Sequence, residues 1–419
     1  MKMTEGDLPG KIIEVEIGNA IYGGSFVGRA ADGKAVFVPF VLPGERAKVL
    51  VNEEKKNYAR ATLVELLESS PERISARCMH FGVCGGCHYQ HLAYSSQLAV
   101  KRAVVADQFS RVGKFTNFVV NEVVRSPKEW NYRNTVQFHV SGAGKLGFQR
   151  SSSADTVEIS ECHLPLQAIS DLWPLIELDP ELQYNRVAIR AGSDGEVLMG
   201  LEGDLSALPE LSLDFPLSVV LLGRDRDLVL SGEPTNRFMV RDAEFIVSAR
   251  SFFQVNLNQA EAMVEYVLEL MPWNKDMTVF DLYCGVGLFS RFIAPLVKEL
   301  VGVELSESAC NDYAANLDSF ENTSLYVGAV EDILPGLEIV PDVVILDPPR
   351  AGLAPRALEA LAKSKVKQII YVSCDPTTLA RDCRILVEKG YRLESIQPFD
   401  LFPQTYHVET VVWMSRLRE

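Results

Sequence analysis

The stretch Tyr371-Val372-Ser373-Cys374-Asp375-Pro376 brings one thiol to the point where a β-rich apolar run, Gln368 to Ser373, gives way to an Asp-Pro turn. A cysteine at a strand end can act as a nucleophile through its thiolate. Taken alone it is better read as a small core residue, because free cysteine is among the most buried residue types. What stands around Cys374 decides between the two.

A second set of cysteines has metal-ligand spacing. Cys78-x5-Cys84-Gly85-Gly86-Cys87 is followed far downstream by Cys162, just before His163 and Pro165. The two glycines let the backbone fold tightly, so that neighbouring thiolates and amides point at one centre. Three close thiolates and one remote one suit an iron–sulfur cluster or a structural zinc, and ligand softness does not separate those metals. The spacing is not the Cys-x3-Cys-x2-Cys of radical chemistry on S-adenosylmethionine. The metal is therefore read as structural, or as a platform for RNA.

A third group can hold a nucleotide. The strand Thr278 to Leu282 runs into Tyr283-Cys284-Gly285-Val286-Gly287-Leu288, an Asp-x-x-x-Gly-x-Gly loop counted from Asp281, in which glycines let a ligand approach the backbone. A following strand, Leu300 to Val303, ends in Glu304, placed to reach the hydroxyls of a bound ribose. No Gly-Lys-Ser/Thr is present, so the pairing favours a dinucleotide or S-adenosylmethionine over a phosphate-gripping loop. A strand from Asp342 to Leu346 carries Asp347-Pro348-Pro349-Arg350, whose prolines stiffen the backbone and present the Asp347 carboxylate and free carbonyls to a planar base. In an open α/β sheet the carboxyl ends of strands share one edge, so Tyr283, Glu304, Asp347 and Cys374 are expected in one crevice.

The elements that must position these groups fall into three parts. A chain of 419 residues is too long for one ordinary core. Residues 1–67 read as short strands separated by turns, a small closed barrel of the oligonucleotide-binding kind, with Lys55, Lys56, Tyr58 and Arg60 as basic and aromatic groups for single-stranded nucleic acid or as a solvated turn. Residues 68–245 hold the cysteine group, an amphipathic helix over about 94–112 and a β-rich middle part. Lys101, Arg102 and Arg111 of that helix are either RNA contacts or its wet face, and Trp130-Asn131-Tyr132-Arg133-Asn134 is either an RNA contact or surface. Residues 246–419 alternate helix and strand in the rhythm of a parallel α/β sheet.

Composition adds bounds. Eight cysteines with no secretory signal argue for metal or catalytic use rather than a disulfide framework. No run of about eighteen apolar residues occurs, so a soluble, cytoplasmic protein without membrane partners is expected. The net charge of −15 is uneven: residues 1–160 carry 20 Lys+Arg against 16 Asp+Glu, whereas the rest carries 21 against 40. The mildly basic front part can face phosphates.

Taken together, these motifs resemble the S-adenosylmethionine-dependent RNA uracil-C5 methyltransferases, in particular the bacterial branch with an N-terminal TRAM barrel and a 4Fe-4S cluster that modifies 23S ribosomal RNA. The match includes Val38-Pro39 with Leu42-Pro43-Gly44-Glu45, the four cysteines, Ser251-Phe252-Phe253-Gln254-Val255-Asn256, the glycine loop, Asp347-Pro348-Pro349-Arg350, Ser373-Cys374-Asp375-Pro376 and Phe402-Pro403-Gln404-Thr405-x-His407-x-Glu409. The resemblance implies a class I, Rossmann-like α/β methyltransferase domain behind the barrel and the β-rich centre. It implies that Cys78, Cys84, Cys87 and Cys162 hold the cluster, in preference to zinc, and that Gln254, Tyr283, Gly285, Gly287, Glu304 and Asp347 surround the cofactor and target base. Cys374 would be the nucleophile and Glu409 the base, with His407 as an orienter on the same strand face. Phe252 or Phe253 would stack on the flipped uracil, and a monomer is expected. The T-loop uridine of tRNA is the alternative target, and an inactive RNA-binding assembly factor the alternative from another class. Two positions depart from the family. Leu288 and Asp375 stand where Asn is common, the second adding a carboxylate that would raise the pKa of the thiol.

The inventory also suits the chemistry. Uracil C5 is a poor nucleophile until a thiolate adds to C6. Once C5 is methylated it still carries a hydrogen, which a base must remove before the thiolate leaves. A stacked uridine cannot present C6, so the base must be flipped out.

Overall fold

A computed structural model describes residues 10–151, 153–182, 184–203, 208–209 and 216–417. Strands β1 (Ile12–Ala20), β2 (Ser25–Arg29), β3 (Ala35–Pro39), β4 (Arg46–Glu54) and β5 (Tyr58–Glu68) close into a barrel in the order β1-β2-β3-β5-β4. Alternate residues point inward, and Val15, Ile17, Phe26, Val36, Val38, Val49 and Val51 are buried there. Glu45 has no exposed surface and accepts from the Leu42 amide (2.8 Å) and from Arg73 Nε (2.6 Å) and Nη2 (2.7 Å). Burial opposes its charge, but Arg73 and the amides hold its carboxyl below the usual range. This pair ties the barrel to the cysteine segment.

Helix α1 (Tyr94–Arg111) follows, within a residue of its expected span. Its Lys101 is neither an RNA contact nor part of a wet face. The side chain is fully buried, with Nζ 2.5 Å from Asp400 and 3.0 Å from the Phe402 carbonyl. An ammonium loses its hydration on burial, which favours the neutral form, and Asp400 counters this by pairing. Periodicity could not distinguish this lysine from a solvated one, because its partner lies 299 residues away. Lys101→Ala leaves Asp400 buried without a counter-charge. The expected cost is about 3–5 kcal/mol in chemical denaturation, and Lys101→Met combined with Asp400→Leu should recover most of it.

The central part is a seven-stranded sheet ordered β12-β11-β10-β9-β6-β7-β8. It comprises β6 (Thr135–Val140), β7 (Leu146–Gln149), β8 (Thr156–Glu158), β9 (Arg186–Ala191), β10 (Val197–Glu202), β11 (Ser218–Leu222) and β12 (Asp227–Ser231), with the short helix α2 (Gln167–Leu172) packed on it. The hairpin of β13 (Thr235–Val240) and β14 (Ala243–Ser248) leads into helix α3 (Leu257–Leu270).

The last part is an α/β sheet. Its strands are β15 (Thr278–Leu282), β16 (Glu299–Glu304), β17 (Thr323–Val327), β18 (Val343–Leu346), β19 (Gln368–Ser373), β20 (Tyr391–Phe399) and β21 (Glu409–Arg416), ordered β17-β16-β15-β18-β19-β21-β20. The first five in that order are parallel, and β21 is antiparallel to both neighbours. Helices α4 (Leu288–Ile293), α5 (Glu307–Leu317), α6 (Val330–Ile333), α7 (Pro355–Lys363) and α8 (Pro376–Glu388) cover its faces. Because both faces are covered, β15, β18 and β19 are almost wholly buried and read as continuous apolar runs. Among the described residues no helix is long and apolar enough to cross a membrane.

Candidate active site

Parallel strands β15, β16, β18 and β19 deliver Tyr283, Glu304, Asp347 and Cys374 to one sheet edge. β21 arrives from the opposite direction, with Ser373 opposite Thr410 and Glu409 the residue just before that pair. These five residues, with Gln254, Gly285 and Asp281, line one cavity of about 750 Å³. Gly287 does not line it. It takes φ +91 at the start of α4, where a Cβ would lie 2.5 Å from the Leu317 side chain, so its part is to shape the turn.

The turn also strains a neighbour: Tyr283 has φ +63, a conformation costing a bulky side chain about 1–3 kcal/mol. The Tyr283 amide donates to the Val303 carbonyl, which fixes it. Glu304 accepts from the amides of Gly285 (2.9 Å), Leu305 (2.8 Å) and Ser306 (2.7 Å). Asp281 accepts from Ser290 (2.6 Å) through one carboxylate oxygen, while the other is buried without a partner. Burial raises its pKa to about 7, leaving an acceptor for a ligand in the cavity.

Burial pushes the Cys374 thiol up to about 11, and the charge of Glu409 adds to the shift; Arg350 opposes both, by its charge and by a hydrogen bond. The Asp347 carboxyl rises to about 7 through burial and the nearby charges of Asp281 and Glu304. Burial and Asp347 lift Glu409 well above the usual carboxylate range, with Arg350 again opposing. Asp375 is not the cause of the raised thiol. Its carboxylate caps α8, accepting from the amides of Thr377 (2.8 Å) and Thr378 (3.1 Å), so the helix end takes up its charge. The cation that the local sequence around Cys374 lacks comes from Arg350. The α8 side chains hold the loop bearing it: Thr378 Oγ1 donates to the Arg350 carbonyl (3.0 Å), Arg381 to that of Ala351 (3.0 Å), and Asp382 accepts from the Leu353 amide (2.8 Å).

Two expectations about aromatic and imidazole groups change. Phe253 borders the cavity but is buried against Phe238 and Phe245, at centroid distances of 5.2 and 5.4 Å. Phe252 is 69% exposed and lines the same cavity, so of the two it is the more open to stacking. His407 precedes β21 in a loop and is not on the strand face of Glu409; its ring lies 4.1 Å from Tyr406, and burial, followed by the charge of Arg350, lowers its pKa to about 3. Leu288 is buried against the cavity. Cys284, Cys310 and Cys383 are buried, Cys284 at the wall of the cavity.

The segment Trp130 to Asn134 connects distant parts of the chain. Tyr132 Oη donates to the Pro403 carbonyl (3.1 Å), Asn134 Nδ2 to that of Gln254 (3.0 Å), and Asn131 Nδ2 to that of Pro165 (3.0 Å). Cys78, Cys84, Cys87 and Cys162 line a separate cavity of about 270 Å³, together with Arg133 and Gln90. Burial, then mutual repulsion, raises Cys87 to about 12, and burial raises Cys162 to about 11. Arg133 Nε is buried there without a hydrogen-bond partner. Among the described residues no group of three or more His, Cys, Asp or Glu draws together as a metal-ion site.

Comparisons with known proteins agree with this layout. The family model described as tRNA (Uracil-5-)-methyltransferase matches residues 205–331 and 338–417, and the TRAM domain model matches residues 5–64. An uncharacterized RNA methyltransferase of Halalkalibacterium halodurans is 33% identical, covering 96% of both chains. One of Streptomyces coelicolor is 34% identical, over 96% of this chain and 93% of that one. The structure of Pyrococcus abyssi tRNA (uracil-54, C5)-methyltransferase in complex with S-adenosyl-L-homocysteine superimposes with a TM-score of 0.72 at 27% identity, covering 96% of this chain and 100% of that one. With a TRAM barrel in front and strand ends that gather Glu304, the Cys374 thiol and the buried Glu409 carboxylate in one cavity, the chain belongs to the S-adenosylmethionine-dependent RNA uracil-C5 methyltransferases.

Proposed function

We propose that this enzyme methylates C5 of a uridine in 23S ribosomal RNA through a covalent adduct between Cys374 and C6. The observation that carries the chemistry is that Cys374 and Glu409, brought in by antiparallel strands, line one cavity with Glu304 and Asp347. S-adenosylmethionine supplies the electrophilic methyl group. Glu304, Gly285, Tyr283 and Gln254 would hold it beside the target base, and the unpartnered Asp281 oxygen suits a donor on such a ligand. Gly287 supports them by shaping the turn.

The Cys374 thiolate adds to C6, and the electron pair of the C5–C6 double bond moves toward O4. After C5 has gained its methyl group, Glu409 takes the remaining C5 hydrogen as a proton. The double bond re-forms as the C6–S bond breaks, returning the thiolate. Arg350 stabilises the thiolate by charge, and exposed Phe252 stacks on the extruded base. A thiol raised to about 11 is mostly neutral at pH 7, so its reactive fraction grows tenfold per pH unit below that value. Glu409 must also be ionised, which acts in the same direction. The single-turnover rate should therefore rise steeply from pH 6 to 9; a flat or falling profile contradicts the thiolate mechanism.

The cysteine cavity supports a 4Fe-4S cluster in preference to zinc. Four thiols line one cavity, and unpartnered Arg133 Nε suits an anionic cluster. Cys78, Cys84, Cys87 and Cys162 would be its ligands, and the group would serve as a structural centre. Anaerobically purified protein should be brown and contain iron; a colourless sample containing zinc contradicts this assignment. The extra barrel and cysteine group favour ribosomal RNA, whereas the Pyrococcus neighbour favours the tRNA T-loop uridine. Mapping 5-methyluridine in both RNAs from cells with and without the gene decides between them, and loss from neither supports an inactive assembly factor. We assign residues 1–67 to the RNA-gripping barrel, 68–245 to the central part and 246–419 to catalysis, in a monomeric cytoplasmic enzyme.

A further inference from the structure

The turn between β1 and β2 reaches out of the barrel into the catalytic edge. Tyr22 Oη lies 3.4 Å from the Cys374 carbonyl, to which it donates, and burial, then the charge of neighbouring Asp375, raise the pKa of its phenol. Its ring meets Tyr406 edge-on at 5.5 Å. Tyr406 in turn packs on His407 and on His88 (4.6 Å). The fit is close: a Cβ at Gly24, where φ is +83, would lie 2.9 Å from the His88 ring and 3.1 Å from Tyr406. On the far side, the amides of His88 and Tyr89 both donate to the Gln404 carbonyl (2.9 and 3.0 Å), and Gln404 is held at φ +70. The barrel turn, the cysteine segment and the loop leading to Glu409 thus share one junction beside Cys374.

We propose that Tyr22 is a positioning residue of the methyl transfer: a barrel side chain whose hydrogen bond to the Cys374 carbonyl fixes the backbone of the nucleophile. The proposal rests on the reading of Cys374 as the nucleophile. The barrel would then do more than grip RNA. Its seating would complete the catalytic edge.

Tyr22→Phe keeps the ring packing and removes only the donor. The direct readout uses neither RNA nor S-adenosylmethionine: alkylation of Cys374 by iodoacetamide, followed by peptide mass spectrometry across pH 7–9. Glu409, Asp347, Arg350 and Tyr406 also face this thiol and are unchanged in the variant. Losing the donor frees the Cys374 carbonyl and lets the thiol shift from Arg350, the cation that opposes its raised pKa, so alkylation should slow severalfold and its profile move to higher pH. In methylation assays kcat should fall roughly five- to tenfold with the RNA KM unchanged, the scale of one neutral hydrogen bond. An unchanged alkylation profile overturns the proposal, as does an effect confined to KM. An active Cys374→Ala enzyme would instead sink the nucleophile reading, which the alkylation comparison does not use.

Discussion

Cys374→Ala should reduce methyl transfer by at least about a thousandfold while leaving the protein folded and able to bind S-adenosylmethionine. The size follows from the chemistry: without a nucleophile at C6, C5 never gains the electron density it needs, and losing a catalytic nucleophile costs on the order of 10⁴ to 10⁶ in kcat. The fold should tolerate the change because Cys374 is only half-buried and precedes the capped start of α8. Transfer of labelled methyl from the cofactor to unmodified RNA measures the first effect, and cofactor titration checks the second. Cys374→Ser is the informative companion, since a serine hydroxyl fills the same space but ionises far less readily. Retention of even a tenth of the wild-type rate by Cys374→Ala would falsify the covalent mechanism.

Glu409→Gln should split the reaction in two. Adduct formation and methylation need Cys374, whereas resolution needs a base for the C5 hydrogen, so the variant should turn over about 10²–10⁴-fold more slowly while accumulating enzyme bound to methylated RNA. The complex should survive denaturing electrophoresis and disappear in the Glu409→Gln, Cys374→Ala double variant. Glutamine is nearly isosteric, and it removes an acid whose pKa burial and Asp347 raise, so stability should hold or rise slightly above neutral pH. The sign is clear. An acid whose folded pKa is raised contributes stability below its unfolded pKa, and loses it as pH climbs through the folded value. A slow variant with no trapped adduct would assign the proton to another group.

Much of the layout is legible in the chain because it is written in short-range patterns. The span of β19 follows from its apolar run and the Asp-Pro that stops it, β15 and its glycine loop from a buried strand meeting residues that permit positive φ, and the barrel from strands punctuated by turns. The parallel arrangement of β15, β16, β18 and β19 then places Tyr283, Glu304, Asp347 and Cys374 together, since carboxyl ends share an edge. Phe252 and Phe253 mark a limit. Both are apolar, adjacent and in one motif, and only the packing of Phe238 and Phe245 decides which ring is buried.

The sequence by itself determined the residue types: one thiol at a strand end, an acid after the second strand, four cysteines with ligand spacing, and a distal glutamate. What tertiary structure alone decided is how their charges are met. The antiparallel entry of β21 brings Glu409 to the cavity that Cys374 lines, Arg350 reaches the thiol from another strand end, and Asp375 spends its charge on helix amides. Lys101 finds Asp400 in the interior, and Tyr22 crosses from the barrel to the Cys374 backbone. Each is a contact between residues remote in sequence. Coulomb and desolvation energies depend on distance and burial, and local periodicity encodes neither for such partners.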